Sequence, residues 1–101
     1  MFTFLDLVRV TPTGLQVLLR QIDKEKLPIA LKGATDSIRT LFMSQLSERA
    51  AKMLREDIAA LGPLKLKVVE DAQAYIANLA KELAANGEIE ISTGSDDRMV
   101  E

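Results

Sequence analysis

Hydrophobic positions recur every three to four residues along nearly the whole chain, the period of helices that bury one side. Residues 1–10 (MFTFLDLVRV) form an apolar opening with room for a short helix. Thr11-Pro12 then has the form of an N-cap followed by proline at the first helical position, where the missing N–H has no partner to lose. This second helix is predicted to run to about Ile22, with Leu15, Leu18, Leu19 and Ile22 at core spacing. Asp23 is placed to cap a third, but Pro28 within it removes a backbone bond and crowds the preceding turn. The third helix is therefore predicted to start near Leu27, or to open with a distorted turn, and to end at Gly33.

Thr35 starts a fourth helix, reaching about Ser44 and burying Ile38, Leu41 and Phe42. Ser47 caps a fifth that lasts to Leu61, where Gly62-Pro63 stops it. The sixth, over residues 66–85, gathers Val69, Ala72, Tyr75, Ile76, Leu79 and Leu83 on one face and ends at Asn86-Gly87. EIEI at 88–91 is too short to make a sheet alone, and the polar STGSDDRMVE at 92–101 is predicted to be a flexible tail. Six short helices with tight turns make a compact all-α domain.

Composition narrows what such a domain can do. A chain of 101 residues supports one core. Aromatics are 4% against 48% hydrophobic residues, so that core is aliphatic, which suits helix-on-helix packing. The chain has no Cys and no His. Ser-His and Cys-His catalysis are excluded, and any metal would need oxygen ligands alone. No cofactor is expected. A net charge of -2 supplies no field to gather nucleic acid. The apolar opening is short, lacks a basic flank and contains Asp6, so it reads as neither signal peptide nor membrane span. A cytoplasmic protein, or a fragment of one, is the default.

The fifth predicted helix holds the most specific pattern. At about 100° per residue, Ala50, Ala51, Leu54, Ile58 and Leu61 fall on one side, and Arg49, Lys52, Glu56 and Ala60 on the other. Asp57 lies at the border between them. Two readings fit. The face is solvated, steadied by the i,i+4 pairs Glu48–Lys52 and Lys52–Glu56 at about 0.2–0.5 kcal/mol each; or it docks on a partner of complementary charge. Periodicity does not choose between them.

At these residues the chain resembles the C-terminal domain of the flagellar motor switch protein FliG, from residue 1 to about residue 91. MFTF (1–4) is similar to the family's MFxF hinge, VLLRQID (17–23) to its VLREVD-like segment, and ALKGA (30–34) to a hallmark of the domain. SERAAKMLRED (47–57) resembles the torque-helix motif, LGPLKLKVVEDAQ (61–73) the GPVRLxxVExxQ segment, and NGEIEI (86–91) the closing stretch. The resemblance implies an armadillo-like, right-handed superhelical array. Residues 1–10 would be the hinge segment and first short helix, and 11–91 the remainder of the six-helix domain. It also implies a rotor component without enzymatic activity, on the cytoplasmic face of the inner membrane in the flagellar basal body. Its partners would be a MotA-type stator protein, neighbouring copies in a ring, and FliM and FliF through the rest of a longer chain.

Carried over by position, the resemblance implies a torque-generating set of Lys32, Arg49, Glu56, Asp57 and Lys65, and a hinge of Met1, Phe2, Thr3 and Phe4. Phe2 and Phe4 are expected at the boundary with a preceding domain. In a chain opening at Met1 they are expected to be exposed or bound to a neighbouring copy. Glu56 stands where the family often has Asp, and Lys65 where it often has Arg, which loses a planar bidentate fork. Lys67 replaces a small polar residue that often caps the last helix, and Pro28 an aliphatic one. Other roles remain open: Lys32 also suits a helix C-terminus, Lys65 could pair with Asp57, and Glu56 could be a surface acid.

Three rival functions carry less. A helix-turn-helix nucleic-acid binder needs a basic recognition helix, but the fifth helix carries both signs. A carboxylate hydrolase based on Glu56 and Asp57 fails because adjacent helical residues point about 100° apart. A generic helical interaction domain remains compatible with the pattern but leaves the charge spacing unexplained.

Overall fold

Residues 2–91 are described by the computed structural model. The chain is all-helical, as the periodicity predicts. The first helix, Phe4–Arg9, is a 3-10 helix, and five α-helices follow: α1 (Pro12–Gln21), α2 (Lys26–Lys32), α3 (Asp36–Met43), α4 (Glu48–Ala60) and α5 (Leu66–Ala85).

Three of the six starts are set by one side chain within its own turn. Thr11 Oγ1 accepts from the Gly14 N–H at 3.0 Å, Thr35 Oγ1 from Ile38 at 3.3 Å, and Ser47 Oγ from Ala50 at 3.1 Å. Each satisfies one of the donors that a helix start leaves without an intrahelical partner. The 3-10 helix is closed differently: Asp6 reaches back and accepts from the Thr3 N–H at 2.8 Å. α5 starts at Leu66 with no side-chain cap, so Lys67 does not displace its start. The turn before it places Gly62 in the left-handed region at φ 66°.

Pro28 is accommodated by position. α2 begins at Lys26, which makes Pro28 its third residue, still among those whose N–H groups have no intrahelical acceptor. The turn leading in is closed by the Asp23 carbonyl, which accepts from Lys26 at 2.9 Å and Leu27 at 3.3 Å. Gly33 ends α2 but with φ -97°, so it is not needed there for a left-handed cap. Its role is proximity: a Cβ at this position would lie 2.4 Å from Val69 Cγ1 of α5.

α5 ends in a Schellman turn, with Gly87 at φ 78° and Glu88 donating to the Leu83 carbonyl at 2.8 Å. The chain then returns along the start of the domain. Thr11 donates to the Glu90 carbonyl at 3.2 Å, and Val10 and Ile91 form an isolated antiparallel bridge. EIEI thus makes no sheet but docks by this bridge, with Ile89 buried.

The core is aliphatic apart from Phe4 and Phe42, and runs through Leu7, Leu15, Leu18, Leu31, Ile38, Ile76 and Leu83. α2 packs on α5 and α4, while the 3-10 helix packs on α5 and α3. Three expectations need correction. Tyr75 is not core: it is 36% exposed, at the rim of α5, where its hydroxyl accepts from the Asp23 N–H at 3.0 Å. Leu41 and Leu79 are half-buried rather than buried. Phe4 is neither exposed nor set aside for a neighbour; it is 8% exposed within this domain's own core, with half-buried Phe2 packed against that core. Met1 and the tail 92–101 lie outside the described residues.

Candidate functional site: the charged face of α4

Ala51 and Leu54 are buried and Ile58 half-buried, which fixes the rotation of α4 about its axis. Arg49, Glu56 and Asp57 are consequently all exposed. Lys65 is exposed at the N-cap of α5, and Lys32 half-buried in the last turn of α2. Lys32 and the α4–α5 turn come together: a cleft of about 330 Å³ is lined by Lys32, Leu64 and Leu66, the last two flanking Lys65.

Among the described residues, ion pairs join Asp6 to Arg9, Asp36 to Arg39, and Lys67 to Asp71 at 3.5 Å. None involves the five predicted site residues. The i,i+4 pairs Glu48–Lys52 and Lys52–Glu56 do not form, and Lys65 does not pair with Asp57, so the internal pairings weighed from the sequence are not what fixes these side chains. No buried polar or charged side chain lies beneath them. Four of the five charges, Arg49, Glu56, Asp57 and Lys65, are therefore exposed and unpaired, with both signs on α4, while Lys32 is unpaired but half-buried.

Sequence reasoning missed two features of this surface. One is a groove of about 970 Å³ between α3 and α4, floored by Met43, Leu46 and Ile58 and edged by Lys52 and Arg55. It arises from the angle between two helices, which periodicity does not encode. The other is a pair of exposed apolar side chains among the charges, Met53 at 57% and Leu66 at 71%. Their signal was present, since both fall outside the apolar stripes of their helices.

Glu56 and Asp57 share no pocket and no hydrogen-bonded partner, so they do not form a paired carboxylate site. Among the described residues no group of His, Cys, Asp and Glu is arranged to hold a metal ion, and no helix is long and apolar enough to cross a membrane. The hinge residues divide: Thr3 is exposed and bonded to Asp6, while Phe2 and Phe4 pack inward.

Comparison with known proteins gives this surface a context. The flagellar motor switch protein FliG of Bradyrhizobium diazoefficiens is 50% identical over 101 residues, 99% of this chain and 31% of that protein. The Vibrio cholerae protein of the same name is 42% identical, over 96% of this chain and 28% of its own length. The chain thus spans about a third of the relatives it matches. A crystal structure of FliG from H. pylori superposes with a TM-score of 0.86 at 34% identity, covering 89% of this chain and 40% of that one. Full-length FliG from Aquifex aeolicus gives 0.85 at 40% identity, over 89% and 28%. The family described as the FliG C-terminal domain matches residues 1–91, and the chain belongs to that family.

Proposed function

We propose that this domain is the part of a flagellar motor switch protein that meets the stator, and that it works by contact rather than by chemistry. The observation that carries the reading is the exposed, unpaired set of Arg49, Glu56 and Asp57 on one helix, with Lys65 and Lys32 at the adjacent helix ends. Charges held in internal pairs would resist a partner. These are open to one.

The partner is a MotA-type stator loop carrying charges of opposite pattern. Ion flow changes the stator's shape, and the loop attracts and releases successive copies of the domain around a ring. Exposed pairs are worth about 1 kcal/mol or less each and are screened by salt. A contact that is made and broken at every step needs that weakness. The domain sits at the cytoplasmic face of the inner membrane, and neighbouring copies, FliM and FliF are met through the rest of a longer chain. Reorientation about the MFTF segment presents the face differently for the two rotation senses. Phe4 belongs to the core and Phe2 packs against it, so both side chains turn with the domain.

Charge reversal tests the reading. In motile cells, Arg49→Glu and Glu56→Lys in the full-length protein should each lower torque, and reversing the facing stator charges should restore it. Double reversals on the rotor side should be more severe than the sum of single neutralisations. Normal torque in Arg49→Glu, Glu56→Lys and the double variant would leave α4 with nothing but a solvated face.

A further inference from the structure

The position of Met53 on α4 points to an apolar element in this docking surface. The core-facing residues of α4 are Ala51, Leu54 and Ile58, and Met53 projects away from them, 57% exposed and outside the hydrophobic core. Its helical neighbours are Arg49 four residues before, Glu56 three after and Asp57 four after. Side chains at these separations lie about 5–6 Å apart at Cβ. Met53 is therefore central to Arg49, Glu56 and Asp57, the three α4 charges of the predicted set.

Met53 is exposed and takes no part in the domain's own hydrophobic core, so its side chain is available to a partner. In the middle of a contact it has a role. Ion pairs between exposed groups are weak because water competes for both partners. An apolar side chain at the centre, ringed by polar groups, excludes that water, and methionine adapts to a partner that slides across it.

We infer that Met53 is the apolar anchor of the charged face, which rests on the stator-docking reading above. The occupant it fits is a stator segment whose aliphatic or aromatic side chain sits between an acid and a base. The acid faces Arg49 and the base faces Glu56 and Asp57. At a rise of about 1.5 Å per residue, Arg49 and Glu56 stand about 10 Å apart along α4, with Met53 between them. A uniformly charged loop does not match this order of base, apolar and acid. Leu66, 71% exposed beside Lys65, repeats the juxtaposition at the start of α5.

The test is the dwell time of single stator units on rotors built from the full-length protein, read from speed steps of a tethered bead. Met53→Gln keeps length and removes apolarity; Met53→Leu keeps apolarity. Met53→Gln should shorten the dwell about fivefold, the loss expected for one interface anchor. Met53→Leu should leave it unchanged, and the melting temperature of the purified chain should stay at the wild-type value in both. If Arg49→Glu shortens the dwell while Met53→Gln does not, the anchor is overturned and the charge contact stands. Equal damage from Met53→Leu and Met53→Gln also overturns it, because apolarity would then not be what the position contributes. If Arg49→Glu and Glu56→Lys leave the dwell unchanged as well, the stator-docking reading itself fails.

Discussion

At position 33 the backbone at the end of α2 comes so close to α5 that a methyl group has no room, 2.4 Å from a methyl carbon of Val69. Gly33→Ala should therefore destabilise the domain by about 1–3 kcal/mol, the range for forcing extra volume into a packed contact. Urea denaturation measures this, and Val69→Ala introduced alongside should recover part of the loss. Asp6 offers a second test at this scale. Its carboxyl is held below the ordinary value of 3.8, first by the hydrogen bond from the Thr3 backbone and also by the nearby Arg9 guanidinium. A carboxyl that is more acidic folded than unfolded stabilises fully above its unfolded value, and the contribution is lost as pH falls through the folded one. Stability should drop below about pH 4, and Asp6→Asn should flatten that part of the profile in thermal melts. The caps at Thr11, Thr35 and Ser47 were legible because each bond closes within four residues. Tyr75 was not, since its hydroxyl answers a backbone N–H 52 residues away.

Among the helices, α2 depends most on its neighbours, with only seven residues and a proline in its first turn. A helix this short has little stability of its own. The Ala30 carbonyl, in its last turn, accepts from the Gln73 side-chain amide of α5 at 3.1 Å. Gln73→Ala should cost about 1 kcal/mol by leaving that acceptor without its partner. The check is hydrogen exchange in α2, which should accelerate more than in α1. Periodicity found every helix and most ends, because a buried stripe repeats visibly in one dimension. It did not reveal that the first helix is 3-10, nor that residues 88–91 fold back on Val10, because those depend on contacts between distant parts of the chain. The position of α2 was readable only as a conflict at Pro28, which the early start at Lys26 resolves.

For the molecule as a whole, Phe4 ties the start of the chain to the domain core. Phe4→Ala should destabilise it by about 3–5 kcal/mol, as truncation of a buried aromatic does, measurable as a lower melting temperature. A hinge residue free in solution would show almost no change. The charged face was legible in the fifth predicted helix as a stripe, and the resemblance of SERAAKMLRED supplied the partner proposed for it. What neither supplied was the state of those charges: whether they are tied up in pairs is a matter of rotamers and neighbouring helices. The groove beside α4 was hidden for the same reason.

The order in which the helices pack also has a mechanical meaning. α4 leans on α2, α2 on α5, and α5 on the 3-10 helix that joins residues 2 and 3 to the rest. Any force applied to α4 is thus handed on through joints in series, and in a series the softest joint sets how far the whole train yields. The α2–α5 joint is the most extensive of these and includes one glycine fitted against a valine and one amide holding a carbonyl. Loosening either would leave the exposed charges of α4 in place and yet let the helices bend against one another, so Gly33 and Gln73 contribute stiffness rather than surface.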